Sequence, residues 1–503
     1  MARSAGILMH ITSLPGPEGN GTLGEESSGF VDTLKEAGIK FWQILPLGPT
    51  GFGNSPYLCY SAFAGNPLLM SLKNLEKNGL LLSADLKRIP KFSTKKVEFS
   101  RVEAWKYPLL RKAFSNFNTG SQRAIQEDFN RFLEEHGWWL EDYALFMALK
   151  KYFGNKSWNE WDEALKIRNP KGLNEFSSRL SEEVRFRKFI QFLFFRQWAG
   201  VKEYANSKGI HIIGDMPLYV ANDSADVWMN PDIFLMDKNL EPTHVGGVPP
   251  DYFSETGQLW GNPVYNWERL KERDFDWWMA RLHFNLNLFD LARIDHFRGL
   301  ESFWSVSAGE KTAENGEWVP ALGHEMLDKF RGQKGEPALI AEDLGVITPE
   351  VEKLRDDFFL PGMKILQFAF SSDATNKDLP HNYGRNFLAY TGTHDNDTIR
   401  GWLKTAGKTE KQNVKKYFRG SKRRFAAWAV ETVWASVANV AIAPLQDILN
   451  LGTKARMNTP GTASGNWGWR LSLGQLKLKH VRFLKELGEK YGRNGGKKTK
   501  ASE

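Results

Sequence analysis

Eight short apolar runs, most of them separated by stretches of helical period, limit what this chain can become more than any other feature. They lie at 6–11, 41–47, 211–215, 288–295, 338–342, 364–370, 387–390 and 437–443. Each has the length of a strand. Between many of them apolar residues recur every three or four positions, at 27–37, 191–207, 267–284, 348–358 and 424–436, which predicts helices. Strand alternating with helix predicts a parallel sheet, and eight such units predict an α/β fold closed as a (β/α)8 barrel rather than an open doubly wound sheet. The 503 residues then read as one catalytic domain, 1–503, enlarged by insertions.

Two connections are too long for plain crossovers. The first, about 48–209 after the second strand, carries helical stretches at 126–153 and 182–198 and is expected to be an inserted, mainly helical subdomain. The second, about 218–267 after the third strand, is rich in Gly, Pro and aromatics. Its middle, from Gly246 to Phe253 and on to Trp260 and Pro263, has hinge residues and no helical period, the pattern of a lid. Residues 493–503 read as a flexible basic tail.

The acids fall where such a barrel does its chemistry, at the C-terminal ends of strands. Asp215 follows the third run, Asp295 ends the fourth between Arg293 and Arg298, Glu342 ends the fifth, and Asp395 follows the seventh beside His394. Alone, the octet Ala292 to Gly299 reads equally as an ion-paired acid closing a strand. Four acids converging on one rim are different, because packing gains nothing from several desolvated like charges. Neighbouring cations favour the charged form of Asp295 and suit it to nucleophilic attack. Burial and like charge favour the neutral form of Glu342 and suit it to general acid and then base work. Asp395 is placed to grip sugar hydroxyls as a ring flattens toward an oxocarbenium ion. A metal is the rival reading, since His296, His394 and the acids could ligate one. There is no His-x-x-x-His pair and no EF-hand-like loop, so neither a metal nor another cofactor is expected.

Composition narrows the partners. The 19 Trp and 34 Phe exceed ordinary packing needs, and aromatic faces are what sugar rings stack on. One cysteine, Cys59, excludes an internal disulfide framework, the start has no apolar signal core, and no run reaches membrane-spanning length, so a cytoplasmic enzyme without a membrane partner is expected. The formal charge is +8, and the densest basic run, Lys415, Lys416, Arg419, Lys422, Arg423 and Arg424, reads as a solvated helix face rather than a nucleic-acid site.

At these strand ends the sequence resembles the 4-α-glucanotransferases called amylomaltases or disproportionating enzymes, relatives of the α-amylases. The resemblance runs through His10-Ile11-Thr12-Ser13-Leu14-Pro15, Gly53-Asn54-Ser55-Pro56-Tyr57, Gly214-Asp215-Met216-Pro217, Gly257-Gln258-Leu259-Trp260-Gly261-Asn262-Pro263 and the three catalytic strand ends. It ends with Ala455-Arg456-Met457-Asn458-Thr459-Pro460-Gly461 and Asn466-Trp467-Gly468-Trp469. It implies Asp295 as nucleophile supported by Arg293, Glu342 as acid/base and Asp395 as transition-state stabiliser with His394 beside it. It also implies that Asp215, Ser55, Tyr57, Trp260 and Asn466 line sugar subsites. The implied activity is retaining transfer of α-1,4-glucan segments from maltooligosaccharide donors to glucose or maltooligosaccharide acceptors. A lid of Tyr252, Phe253 and Trp260 that excludes water is its physical rationale, and the same parts in a looser site would give an α-glucan hydrolase.

Overall fold

The computed structural model describes residues 1–119, 123–250 and 254–494. Its centre is an eight-stranded parallel sheet of β1 (Ser4–Leu8), β2 (Phe41–Gln43), β3 (His211–Pro217), β4 (Leu291–Asp295), β5 (Leu339–Ala341), β6 (Gly362–Ile365), β7 (Phe387–Tyr390) and β8 (Val440–Pro444). Neighbours run in the order β6-β7-β8-β1-β2-β3-β4-β5. The remaining gap is bridged where Ala341 N donates to Pro361 O at 2.9 Å, which brings the end of β5 to the start of β6 and completes a (β/α)8 barrel. β1 and β8 are buried at every residue, as strands covered by helices outside and by side chains inside must be. Across the interior Tyr390 Oη donates to Gln43 Oε1 at 2.9 Å, so β7 and β2 share a buried polar contact. Gly214 has to be glycine: a Cβ there would lie 2.0 Å from the ring of Phe289.

The run at 364–370 is only half strand. β6 starts earlier, at Gly362, and stops at Ile365, after which Leu366–Phe370 forms a 3-10 turn. Burial rather than pairing explains the apolar run, and periodicity over so few residues does not separate the two. The helix expected at 267–284 is two helices, Trp267–Glu272 and Asp276–Leu288, because Asp274 and Phe275 adopt left-handed backbone with φ of 54° and 53°.

The chain between β2 and β3 contains three long helices, Phe99–Asn118, Arg123–Tyr152 and Ser181–Ser207. They meet through phenylalanines, with ring centroids of Phe117 and Phe189 4.7 Å apart and those of Phe129 and Phe192 5.5 Å apart. One buried cluster runs from these helices into the barrel without a break, so they share the core rather than form a separate one.

After β3 the structure departs from the aperiodic reading. His244–Val248 and Gln258–Pro263 pair antiparallel, and with Ser302–Ser307 and Gly316–Pro320 they make a second, four-stranded sheet. Gly246 and Gly247 hide this strand in the sequence. They are required by close approach, since a Cβ at Gly246 would lie 2.7 Å from the Tyr219 ring and one at Gly247 2.5 Å from Gln258 O. Tyr252 and Phe253 lie outside the described residues.

Arg493, read above as the start of a mobile tail, is wholly buried. Its guanidinium donates to the carbonyls of Trp434, Ser4, Asn439, Ser436 and Ala438, and so ties the chain at 493 to the N-terminal side of β1 and β8. Among the described residues no helix is long and apolar enough to cross a membrane.

Candidate active site

The register of the barrel assembles the rim. β3 and β4 pair with Asp215 opposite Arg293 and Pro217 opposite Asp295. Arg293 Nη1 lies 2.8 and 2.9 Å from the two oxygens of Asp215, and Nη2 lies 2.9 Å from Asp295 Oδ1. Tyr57, carried by the loop after β2, donates its hydroxyl to Asp215 Oδ2 at 2.8 Å. Burial pushes the Asp215 carboxyl up to about 6, with the Arg293 guanidinium pulling against it. Burial and the Asp215 charge raise the Tyr57 phenol, which keeps it a neutral donor.

Glu342 directly follows β5. Its Oε2 accepts the backbone N–H of His296 at 2.6 Å. Burial raises its carboxyl well above the usual carboxylate range. Asp295 and Asp343 push the same way, against Arg293 and the His296 amide. Asp343, the next residue, is a structural acid: it accepts from Arg355 Nη1 at 2.6 Å and from Met363 N at 2.7 Å.

Asp395 lies in the turn after β7 and has the opposite balance. Burial disfavours its charge, but His394 Nε2 at 3.3 Å from Oδ2 and Asn458 Nδ2 donating to Oδ1 at 2.6 Å outweigh burial and hold it below the usual carboxylate range. In return Asp395 raises His394 against the cost of burying an imidazolium. The His394 ring stacks on Tyr57 with centroids 5.0 Å apart and planes 14° from parallel, so the β2 and β7 loops meet face to face.

The structure therefore brings together Asp215, Arg293, Asp295, Glu342, His394, Asp395 and Tyr57. Trp260 stands edge-on to His296, 4.7 Å between centroids at 86°. Ser55 is turned into its own loop, where its hydroxyl accepts from Tyr57 N at 3.2 Å. Asn466 closes a loop as well: Oδ1 accepts from Thr459 N at 3.0 Å and Nδ2 donates to Thr462 O at 2.9 Å. That loop delivers Trp467, whose ring lies 5.7 Å from Tyr57.

Asn458 and Arg456 were not singled out from the sequence as site residues, although both stand in a quoted motif. Arg456 donates to the Asp395 carbonyl and to the Asn458 carbonyl, each at 2.6 Å, while Asn458 N donates to His394 O at 3.1 Å. Both come from an irregular loop, where polar residues leave no periodic signal. His10, at the base of the same loops, is pushed down to about 3 by burial and by His394, and accepts from Leu45 N through Nδ1 at 3.3 Å.

A parallel barrel with an arginine-bridged acid pair, a raised carboxyl and a depressed one on a single rim defines a (β/α)8-barrel enzyme with the parts of glycoside chemistry. A family model described as 4-alpha-glucanotransferase matches residues 9–476. The chain is similar to the 4-alpha-glucanotransferase of Synechocystis sp., 50% identical over 498 residues and covering 98% of each. It is equally similar to that of Thermus thermophilus, 50% identical over 505 residues and covering 97% of this chain and 99% of the other. Among solved structures, amylomaltase from Streptococcus agalactiae in complex with acarbose aligns with a TM-score of 0.94 at 41% identity, over 98% of this chain and 99% of that one. The chain belongs to the 4-α-glucanotransferase family.

Proposed function

We propose that this enzyme disproportionates maltooligosaccharides, moving α-1,4-glucan segments from donor to acceptor with retention at the anomeric carbon. In the first step Glu342 protonates the glycosidic oxygen while Asp295 attacks the anomeric carbon. The donor's reducing-side fragment leaves and a glycosyl ester forms on Asp295. In the second step Glu342 takes the proton of an acceptor hydroxyl, that oxygen attacks the same carbon, and Asp295 is released. Asp395 holds ring hydroxyls throughout, with a grip that strengthens as positive charge develops on the ring. Asp215, Arg293, Tyr57, His394 and Trp260 shape the sugar subsites around it.

One asymmetry carries this reading. Asp295 is bound by a guanidinium, whereas Glu342 receives a backbone N–H and, among the described residues, no ion pair. Two carboxyl groups with opposite protonation demands are what double displacement uses. Glucose and maltooligosaccharides are the acceptors in this proposal. A cytoplasmic location belongs to it too, supported by a chain whose one cysteine is free.

Maltotriose alone tests the reaction. Longer maltooligosaccharides and glucose, with total reducing ends constant, are the expected products. Rising reducing ends without longer products would overturn transfer. Asp295→Asn is expected to lower kcat by roughly a thousandfold or more while oligosaccharide binding persists.

A further inference from the structure

We infer that the backbone N–H of His296 determines which oxygen of Glu342 carries the transferable proton, and that the left-handed turn at His296 aims this N–H. The inference rests on the acid/base reading of Glu342 given above. The main chain of Glu342 is gripped on both sides of that turn: its N–H donates to Ile294 O at 3.1 Å and its carbonyl accepts from Phe297 N at 3.2 Å. Between these two bonds His296 has φ 54° and ψ 48°, and its N–H meets the Glu342 side chain, 2.6 Å from Oε2.

Such a backbone is uncommon for any residue but glycine, though histidine tolerates it better than a β-branched residue does. A second cost sits at the same position, because His296 Nε2 is buried and, among the described residues, has no hydrogen-bond partner. The ring is wedged edge-on to Trp260, and a Cβ at Gly299 would come within 3.1 Å of its Cδ2. Two unfavourable features beside a reacting carboxyl mark a conformation held by its surroundings for use.

The use follows from the chemistry of a carboxylic acid. A neutral carboxyl has one O–H and one carbonyl oxygen, and the amide N–H selects the carbonyl. Oε2 is therefore the acceptor, and the proton stands on Oε1. When Oε1 gives that proton to the glycosidic oxygen, its O–H bond breaks and the carboxylate keeps the electron pair. The bond from His296 N to Oε2 then becomes charge-assisted and stronger. In the second step Oε1 takes up the proton of the acceptor hydroxyl and the bond weakens again. Arg293 and Asp295 on β4 and Asp343, next to Glu342 after β5, also act on this carboxyl through their charges, and all three stay in place in the variants below.

The test compares His296→Gly, His296→Asn, His296→Ala and His296→Val on maltotriose, reading kcat and KM against pH, with Glu342→Gln as reference. Glycine and asparagine keep the left-handed turn, so kcat for the valine variant is expected about tenfold below theirs, with alanine between. The basic limb of the valine variant is expected about one pH unit above that of the glycine variant, because loss of the hydrogen bond from the N–H to Oε2 favours the neutral acid. A glycine variant as slow as the valine variant, with the two limbs coincident, would overturn the inference and make the imidazole itself the important group. A valine variant as fast as the glycine variant would overturn it too. Thermal unfolding confirms that each variant is folded, and alanine against glycine decides the matter if valine does not fold. An active Glu342→Gln would instead overturn the acid/base reading on which the inference rests.

Discussion

Arg293 divides its guanidinium between Asp215, which it meets with both carboxylate oxygens at 2.8 and 2.9 Å, and the proposed nucleophile Asp295 at 2.9 Å. Lysine offers a point charge and no planar fork, so it serves one carboxylate at a time. Arg293→Lys is expected to lower kcat by about 10- to 100-fold with a smaller change in KM, measured by steady-state disproportionation of maltotriose. Arg293→Ala leaves Asp215, 3% exposed, without its countercharge, and is expected to cost about 3–5 kcal/mol in urea unfolding.

Asn458 gives the Asp395 carboxylate a hydrogen bond of 2.6 Å at Oδ1, while His394 faces the other oxygen. Asn458→Ala removes a donor to a charged group and frees the carboxylate to rotate. The expected result is a fall in kcat of about tenfold or more. Asn458→Asp sets a second negative charge against Asp395 and is expected to be worse still, so the order wild type, alanine, aspartate in one kcat series checks the role.

Much of the rim could be read before the structure because it obeys two periodic rules at once. Asp215, Asp295 and Glu342 each stand where an apolar run stops, so strand period and carboxyl position coincide. The residues that escaped obey neither rule. Asn458 and Arg456 act from a loop whose shape is set by contacts with the chain at 394–395, more than 60 residues away. The four-stranded sheet was hidden by Gly246 and Gly247, which look like hinges yet are needed for close packing. Arg493 was misplaced because charge was read as exposure, whereas backbone carbonyls can solvate a guanidinium as water does. The left-handed turn at His296 has no sequence signal at all, since the residue there is not glycine.

Trp260 stands edge-on to His296 and half-buried at the rim, on a strand of the second sheet. In the mechanism proposed above, a large apolar ring there would keep water from the glycosyl ester while an acceptor sugar docks. Trp260→Ala is expected to raise the hydrolytic share of turnover several-fold. The measurement is new reducing ends per glucosyl transfer, with maltotriose as donor and glucose as acceptor. An unchanged ratio at lower overall rate would mean that the ring only binds sugar.

Asp447 is buried behind the β7 loop, where its carboxyl accepts from Thr391 Oγ1 at 2.6 Å and from Ile399 N at 2.8 Å. Burial pushes it up to about 7, with those two hydrogen bonds pulling down and Asp397 adding to the rise. A carboxyl raised in the folded state stabilises the fold while it is protonated, and that contribution disappears as pH rises from the unfolded value near 4 through about 7. The stability of the wild type relative to Asp447→Asn is therefore expected to fall by about 2 kcal/mol between pH 5 and pH 8. Urea unfolding of both proteins at the two pH values checks the sign; a difference that does not change with pH would mean that the group does not titrate in this range.

Arg493 donates five hydrogen bonds to main-chain carbonyls at the base of the barrel, two of which, those of Trp434 and Ser436, also accept from Arg3. Trp434 O belongs to the last turn of the helix Phe425–Ala435, where the helix dipole favours a cation and where carbonyls lack partners of their own. Arg493→Met keeps most of the stem but removes all five of these donations, leaving Arg3 to serve Trp434 O and Ser436 O and Ser4 N to serve Asn439 O. The expected loss is about 2–4 kcal/mol of unfolding free energy. The rim lies at the opposite end of the barrel, so kcat on maltotriose at 25 °C is expected to stay within about twofold of wild type while the thermal midpoint falls by several degrees. A variant that loses activity in step with nothing measurable in stability would show instead that the base of the barrel is coupled to the rim.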